Sequence, residues 1–529
     1  MYPLPLPLEL VQNISGQADI SDVKSLRLVC KTFAMLLAGD LFYCLVIDMS
    51  KSQDRLEILS SLASDEAHPA RTATRELSIH RIDLDGSSEV TSCLIPALQS
   101  LGNLRKLRLR YFFTDLEWIY TPVLECLKPM LPRITTLEVS RVSAELKRPN
   151  DRQEALIAFL SNPGISRLAS FAIDCGGGSQ QNISSALATA VANVIERSRS
   201  HLVSLAFGFP SGTSIRNAPA TTLRTIFGPS THSSFPVLTH LTLAEDVICN
   251  IRSCTPTIPQ FSSLKHLTCV RKPAKRPIVV ENQLNTFGFW TALANTGVRL
   301  HSIKEATATH ELLNYLKSYS GELQELQIKR YRSHGDGKDK WQDLGEEFWS
   351  RIVPLHHESL RLLHIRSNCS GWWSFGPITR HIFQSHAFPE LEELLLNVHS
   401  PARKSADLRK GYVITLLDFV SQSQLFRSLR ELAIMFPIAP TGGWCGTGRT
   451  RLERRYTRRE ISNILTHSWP PRARLPSLKI AGSFSSELRF LPVLIPGHEE
   501  WKYERSKPLE DQLGDWNVPQ RPTHFKARS

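Results

Sequence analysis

One six-residue pattern constrains this chain more than any other feature: apolar, two mostly polar positions, apolar, one polar, apolar. Its apolar triplets are Leu104, Leu107, Leu109; Ile134, Leu137, Val139; Leu168, Phe171, Ile173; and Leu202, Leu205, Phe207. They continue as Leu238, Leu241, Leu243 and Leu264, Leu267, Cys269. The second half carries Leu323, Leu326, Ile328; Leu360, Leu363, Ile365; Leu391, Leu394, Leu396; and Leu429, Leu432, Ile434, with a weaker last copy at Leu475, Leu478, Ile480. The last two apolar positions of each copy are two residues apart, which places both on one face of an extended strand. One such hexamer in a leucine-rich chain means little, but a series of them predicts a series of strands. At 529 residues the chain exceeds one ordinary core, so a core that grows lengthwise, unit upon unit, suits it better.

Between the copies lie segments with helical spacing, at residues 154–160, 183–195 and 413–420. The unit is therefore strand, loop, helix, and stacking such units buries a continuous core between a strand layer and a helix layer. This α/β repeat resembles a leucine-rich-repeat solenoid. Most copies are spaced more widely than the roughly 20–29 residues of a regular repeat, and the Asn or Cys usual after the third apolar position is mostly missing, so the resemblance implies an irregular, loop-decorated array. Two insertions interrupt it, a basic, proline-containing one at 271–280 and a Gly, Asp and Lys-rich one at 331–340.

Ahead of the array, Leu6 to Phe42 reads as two or three short helices that cannot form a domain alone. Pro7 suits a first helical position and Glu9 the first turn. Leu10, Val11 and Ile14 share one side of that helix. Ser21 can cap the next helix, where Val23, Leu26, Val29, Cys30, Phe33, Leu36 and Leu37 recur at helical spacing with Lys24, Arg27 and Lys31 opposite. Residues 54–62 follow as an amphipathic helix with Leu56, Leu59 and Leu62 as its stripe, and residues 75–79 as a short strand.

Leu6, Pro7, Glu9 and Leu10, followed by Leu26, Arg27, Leu28, Val29, Cys30, Lys31 and Phe33, resemble an F-box in the form common to fungal F-box proteins. That resemblance, over about the first forty-five residues, implies an apolar face of Leu6, Pro7, Leu10, Ile14, Val23, Leu26, Val29 and Phe33 that docks on a Skp-type adaptor, and through it a cullin-based ubiquitin ligase. Ala18 stands where the family usually carries a large apolar residue. A plain helical cap on the array is the other reading of the same segment.

Composition narrows the rest. Hydrophobic residues at 41% and charged residues at 21% describe a folded chain rather than a disordered one. The net charge of +13 admits several kinds of anionic partner and selects none. Ten single cysteines without a C-x-x-C pair, and an N-terminus without an apolar leader pattern, point to free thiols in a cytoplasmic or nuclear setting. The longest apolar stretch, 41–47, is too short to span a bilayer.

No catalytic set is legible. The glycines at 442, 443, 446 and 448 lack the lysine and hydroxyl residue of a phosphate loop. The arginine run Arg449, Arg451, Arg454, Arg455, Arg458, Arg459 reads as a solvated helix face with Leu452, Ile461 and Leu465 turned inward; a nuclear-localisation element or anion contact is the sharper alternative, and no aromatic residues interleave with it as a single-strand platform needs. His356, His357 and His364 lack ligand spacing for a metal, and Trp372-Trp373 reads as a satellite apolar cluster. No metal, cofactor or nucleic acid partner is expected.

If the apolar trio of each hexamer points inward, the alternate residues line an exposed face: Ser78 and His80, Arg108 and Arg110, Glu138 and Ser140, Ala172 and Asp174. Gln327 and Lys329, His364 and Arg366, Leu395 and Asn397, and Lys479 continue it. By resemblance to F-box proteins with leucine-rich repeats, whose sheet face commonly receives the substrate, Arg108, Arg110, Lys329, His364 and Arg366 are candidates for contacting an acidic or phosphorylated target segment. An ordinary solvated sheet face is the alternative.

The expected organisation is a short all-α F-box at 1–45, a linker helix at 46–75, a leucine-rich-repeat-like solenoid at 76–495 and a polar tail at 496–529. The expected role is non-enzymatic: target selection for an SCF-type (Skp–cullin–F-box) ubiquitin ligase. A repeat scaffold with a decayed F-box, binding proteins without recruiting a ligase, is the alternative that Ala18 raises.

Overall fold

The computed structural model describes residues 20–29, 33, 37–48, 54–81, 88–110, 117–140, 151–174, 185–208, 234–244, 261–270, 288–330, 338–367, 372–398, 412–422, 424–435, 458–481, 488–495 and 500–506. They form an α/β protein of mostly parallel strands with helices between them, divided into two compact units at Glu305/Ala306. The range 76–495 expected as one array therefore spans two units.

In the first unit, strands β1 (Cys44–Asp48), β2 (Glu76–Arg81), β3 (Lys106–Arg110), β4 (Thr136–Ser140), β5 (Ser170–Asp174), β6 (Ser204–Gly208), β7 (His240–Ala244), β8 (His266–Val270) and β9 (Ser302–Thr307, whose last two residues belong to the second unit) follow one another. Each pairs in parallel with the next. The register aligns the hexamers, so that Leu77, Leu107, Leu137, Phe171, Leu205, Leu241, Leu267 and Ile303 form one apolar column. Every member of it is at most 1% exposed. The first hexamer positions, such as Leu104, Ile134, Leu168 and Leu202, are buried too, as the strand entries turn into the core.

A backbone device holds this register. The carbonyl of the second hexamer residue accepts two N–H groups from the next unit: Arg105 takes Thr135 and Thr136, Thr135 takes Ala169 and Ser170, Ala169 takes Val203 and Ser204. Val203, Thr239 and Lys265 continue the series. Stacking at strand entry thus satisfies backbone groups whatever the side chain, which explains why a polar residue or a valine serves equally at that position.

The second layer is helical. Helices Asp54–Ser64, Ser88–Gln99, Glu117–Leu127, Asp151–Leu160 and Ser185–Ser198 pack side by side in chain order. Leu59 and Leu62 of the first are buried as the sequence predicts. Strand β1 was not legible as one. Residues 44–48 lie within an apolar stretch that otherwise reads as the start of a linker, yet they pair with β2 in parallel, so the sheet begins before the expected linker at 46–75.

The second unit repeats the plan with β10 (Glu325–Arg330), β11 (Leu362–Ser367), the two-residue β12 (Ser374–Phe375), β13 (Glu393–Val398), β14 (Glu431–Met435) and β15 (Ser477–Ala481), parallel in every pairing. Leu326, Leu363, Leu394, Leu432 and Leu478 are its apolar column. The sheet then ends differently: β16 (Leu488–Ile495) and β17 (Glu500–Arg505) run antiparallel. Part of the expected polar tail is therefore a strand, tied down where Tyr503 buries its ring and donates its hydroxyl to the Pro476 carbonyl at 2.8 Å.

Trp373 forms the expected apolar cluster, stacked on Phe348 at 5.2 Å. Phe348 opens a π-helical turn, Phe348–Ile352, that follows helix Lys338–Glu347. In helix 458–466 the inward register differs from the expected one. Ile464 and Glu460 are buried while Leu465 is 39% exposed; the helix phase is set by seating one turn on helix Tyr412–Gln422, where Glu460 accepts a hydrogen bond from the Val413 N–H. The glycine run at 442–448, the basic insertion at 271–280, and Arg449, Arg451, Arg454 and Arg455 lie outside the described residues.

Candidate binding face

In both units the alternate strand residues form a polar face. It is not a row of free cations. In the first unit Arg108 lies beside Ser78 on one side and Glu138 on the other. Its Nε donates to Glu138 Oε2 at 3.0 Å, and Nη1 stands 3.9 Å from Glu76 Oε2. Lys106 Nζ reaches the other Glu76 oxygen at 3.3 Å. Two cations and two carboxylates thus share three adjacent strands, and Arg110 is the exposed cation at their end. With Arg108 and Glu138 each 42% exposed, their pair contributes about 0.2–1 kcal/mol. The basic stretch expected at Arg108 and Arg110 is a mixed network.

Farther along the same face the side chains become small: Ala172, Ala206, Thr242 and Thr268 are register neighbours. Beside them His240 and His266 stack with ring centroids 4.2 Å apart and planes 10° from parallel. Neither this pair nor Glu76 and Lys106 stands out in the sequence as a site. Aligning the hexamers position by position would have placed each beside its neighbour, because the register follows the repeat.

In the second unit Lys329 and Arg366 are direct register partners, one row beyond Gln327 and His364. Burial first, and then the Arg366 guanidinium alongside, pulls the Lys329 ammonium below its ordinary pKa. His364 Nε2 lies 3.5 Å from Glu393 Oε2, and Lys479 is 2.5 Å from Glu431. The structure thus brings Lys329, His364 and Arg366 together on adjacent strands β10 and β11. Arg108 and Arg110 belong to the other unit.

Three residues expected on the open face are not open. Ser78 is 4% exposed, Leu395 5% and Asn397 0%. Strand β13 is buried on both faces from Leu394 to Val398. Asn397 Nδ2 donates to the Ser367 carbonyl at 2.6 Å, joining β13 to the end of β11 where the short β12 is paired to β13. Alternation along a strand predicts which way a side chain points, but not what covers it.

At the N-terminal segment, Leu6, Pro7, Leu10 and Ile14 lie outside the described residues. Helix Ile20–Arg27 carries Val23, which forms a small core with Leu37; Leu26, Phe33 and Leu41 pack against it. Val29 is 68% exposed, and so is its neighbour Leu28, at 87%. Of the described adaptor candidates, Val23, Leu26 and Phe33 pack within the segment and Val29 faces outward.

The fold class these observations define, in each of the two units, is α/β, built of mostly parallel strands with helices between them. No protein-family model matches the chain, and no curated protein matches it. Among the described residues no helix is long and apolar enough to cross a membrane.

Proposed function

We propose that the chain is a non-enzymatic target-selecting subunit of an SCF-type ubiquitin ligase, with an F-box ahead of a leucine-rich-repeat-like solenoid. The N-terminal segment docks on a Skp-type adaptor, and the polar strand face holds a target protein. The observation that carries this reading is the exposed apolar pair Leu28 and Val29, directly after helix Ile20–Arg27 and inside the motif that resembles an F-box. Two large apolar side chains in water favour a partner that buries them, each by roughly 1.5–3 kcal/mol on full burial. Val23, Leu26 and Phe33 act by supporting that surface from below. Arg110 in the first unit, and Lys329, His364 and Arg366 in the second, are the cations and imidazole that would face an acidic or phosphorylated target.

The inward packing of Val23, Leu26 and Phe33 favours the second reading, a protein-binding scaffold that recruits no ligase. One experiment separates them. Purified chain and a Leu28→Asp, Val29→Asp double variant are each mixed with a purified Skp-type adaptor and recovered by an affinity tag. Adaptor is expected with the parent chain and at least tenfold less with the variant, at unchanged melting temperature. No adaptor with either chain selects the scaffold.

A further inference from the structure

A second recognition feature lies away from the polar strand face, at the strand entries of the second unit, and is independent of the ligase reading. Because β14 and β15 align Glu431 with Ser477, the residues just before each strand run side by side: Arg427 to Arg430 next to Arg474 to Pro476. Together with Phe426 below and Trp501 from β17, they line a groove of about 480 Å³. That volume falls within the range of ligand-binding clefts, roughly 300–1,000 Å³.

The lining combines charge with apolar surface. Arg427, Arg430 and Arg474 are all exposed. Arg474 Nη1 donates to the Arg427 carbonyl at 3.2 Å, which lays one guanidinium beside the other residue. The carboxylate near them, Glu392, is 3.7 Å from Arg430 and already takes a 2.6 Å bond from Arg361. Arg430 therefore shares Glu392 with Arg361. Trp501 is held rigidly: its backbone exchanges two 2.9 Å hydrogen bonds with the buried Trp469, and its indole N–H donates to the Pro471 carbonyl at 3.2 Å. A fixed aromatic ring in the same groove as the arginine forks offers apolar contact area at little entropic cost, alongside bidentate sites for carboxylates.

We infer that this groove binds an acidic peptide segment, with its carboxylates on Arg427, Arg430 and Arg474 and an apolar side chain against Trp501. The occupant is a peptide with two or more Asp or Glu flanking an apolar residue.

The test is fluorescence anisotropy of the full chain with a fluorescein-labelled peptide of alternating glutamate and phenylalanine, against its glutamine counterpart. Saturable binding of the acidic peptide is expected, at least tenfold tighter than the neutral one and weakening with salt. Arg427→Ala with Arg474→Ala should weaken it at least tenfold, whereas Arg458→Ala, an exposed arginine on helix 458–466, should not. Should the double variant lose its circular dichroism melt, Arg430→Ala replaces it, since that side chain is 80% exposed. Trp501→Phe should remove the change in tryptophan emission that accompanies binding. No binding by the parent chain, equal binding of the two peptides, or equal loss with Arg458→Ala overturns the inference. So does a chain ending at Ser506 that binds markedly tighter, since the chain's own Glu510, Asp511, Asp515 and Trp516 would then be the occupant.

Discussion

At the scale of single residues, burial is the first cause of the shifts at Glu460, His356 and Cys126, whereas Arg361 and Glu392 shift each other through their own hydrogen bond. Glu460 is 2% exposed, and its Oε2 has no hydrogen-bond partner among the described residues. Burial pushes its pKa up, against the opposing pull of Arg459 and the Val413 N–H. The folded chain then holds this proton more tightly than the unfolded one, so its contribution to stability is present in acid and is lost as the pH rises through the elevated folded value. Glu460→Gln keeps an acceptor for Val413 without the charge, and should raise the neutral-pH Tm by roughly 2–4 °C, equivalent to about 1 kcal/mol for a unit of this size. Thermal melts across pH check this: the gap should close as the pH falls through the carboxylate range. His356 has the opposite sign. Burial lowers its pKa despite the 3.0 Å contact of Nε2 with the Leu316 carbonyl, so the stability it contributes is present above the ordinary imidazole pKa and lost as the pH falls. Cys126, near the Ile95 carbonyl, is pushed up to about 11 by burial, which makes it a poor nucleophile.

At the scale of elements, close approaches decide the outcome of substitutions. Gly345 lets helix Lys338–Glu347 lie against Trp372 and Trp373: a Cβ there would stand 2.8 Å from Trp372 Cβ and 3.1 Å from Trp373 Nε1. In an isolated helix Gly345→Ala would gain roughly 0.8–1 kcal/mol of helix propensity. Here overpacking, typically about 1–3 kcal/mol, should outweigh it and lower the denaturation midpoint in urea. Strand β13 offers a sharper case. Leu395 sits at an alternate position, where the hexamer pattern expects an open face, and Lys would be neutral there. Because Leu395 is buried, Leu395→Lys should cost about 2–4 kcal/mol, read as the same midpoint shift.

At the scale of the whole molecule, removal of the N-terminal segment tests the proposed docking apart from folding. Val23, Leu26, Phe33, Leu37 and Leu41 form their own small cluster. The first unit's sheet begins only at Cys44, and the carbonyl of Tyr43 already receives the Arg75 and Glu76 N–H groups. A cut after residue 45 would remove part of β1, whereas one after residue 36 spares it. A chain lacking residues 1–36 should keep the far-ultraviolet circular dichroism of the strand-and-helix array and lose adaptor recovery. Loss of the array's signal would instead make the segment a structural cap.

The two levels of information divide cleanly. The sequence by itself determined the strand-and-helix alternation, the position of each hexamer strand and the apolar trio that faces inward. Those properties are periodic and local, and parallel stacking repeats them from unit to unit through shared backbone carbonyls. Tertiary structure alone decided that Arg108 is shared by Glu76 and Glu138, that Ser78, Leu395 and Asn397 are covered, that residues 44–48 and 500–505 are strands, and that Val29 is exposed while Phe33 packs inward. Each of these depends on side-chain packing or strand pairing, which the apolar periodicity that marks the hexamers does not specify.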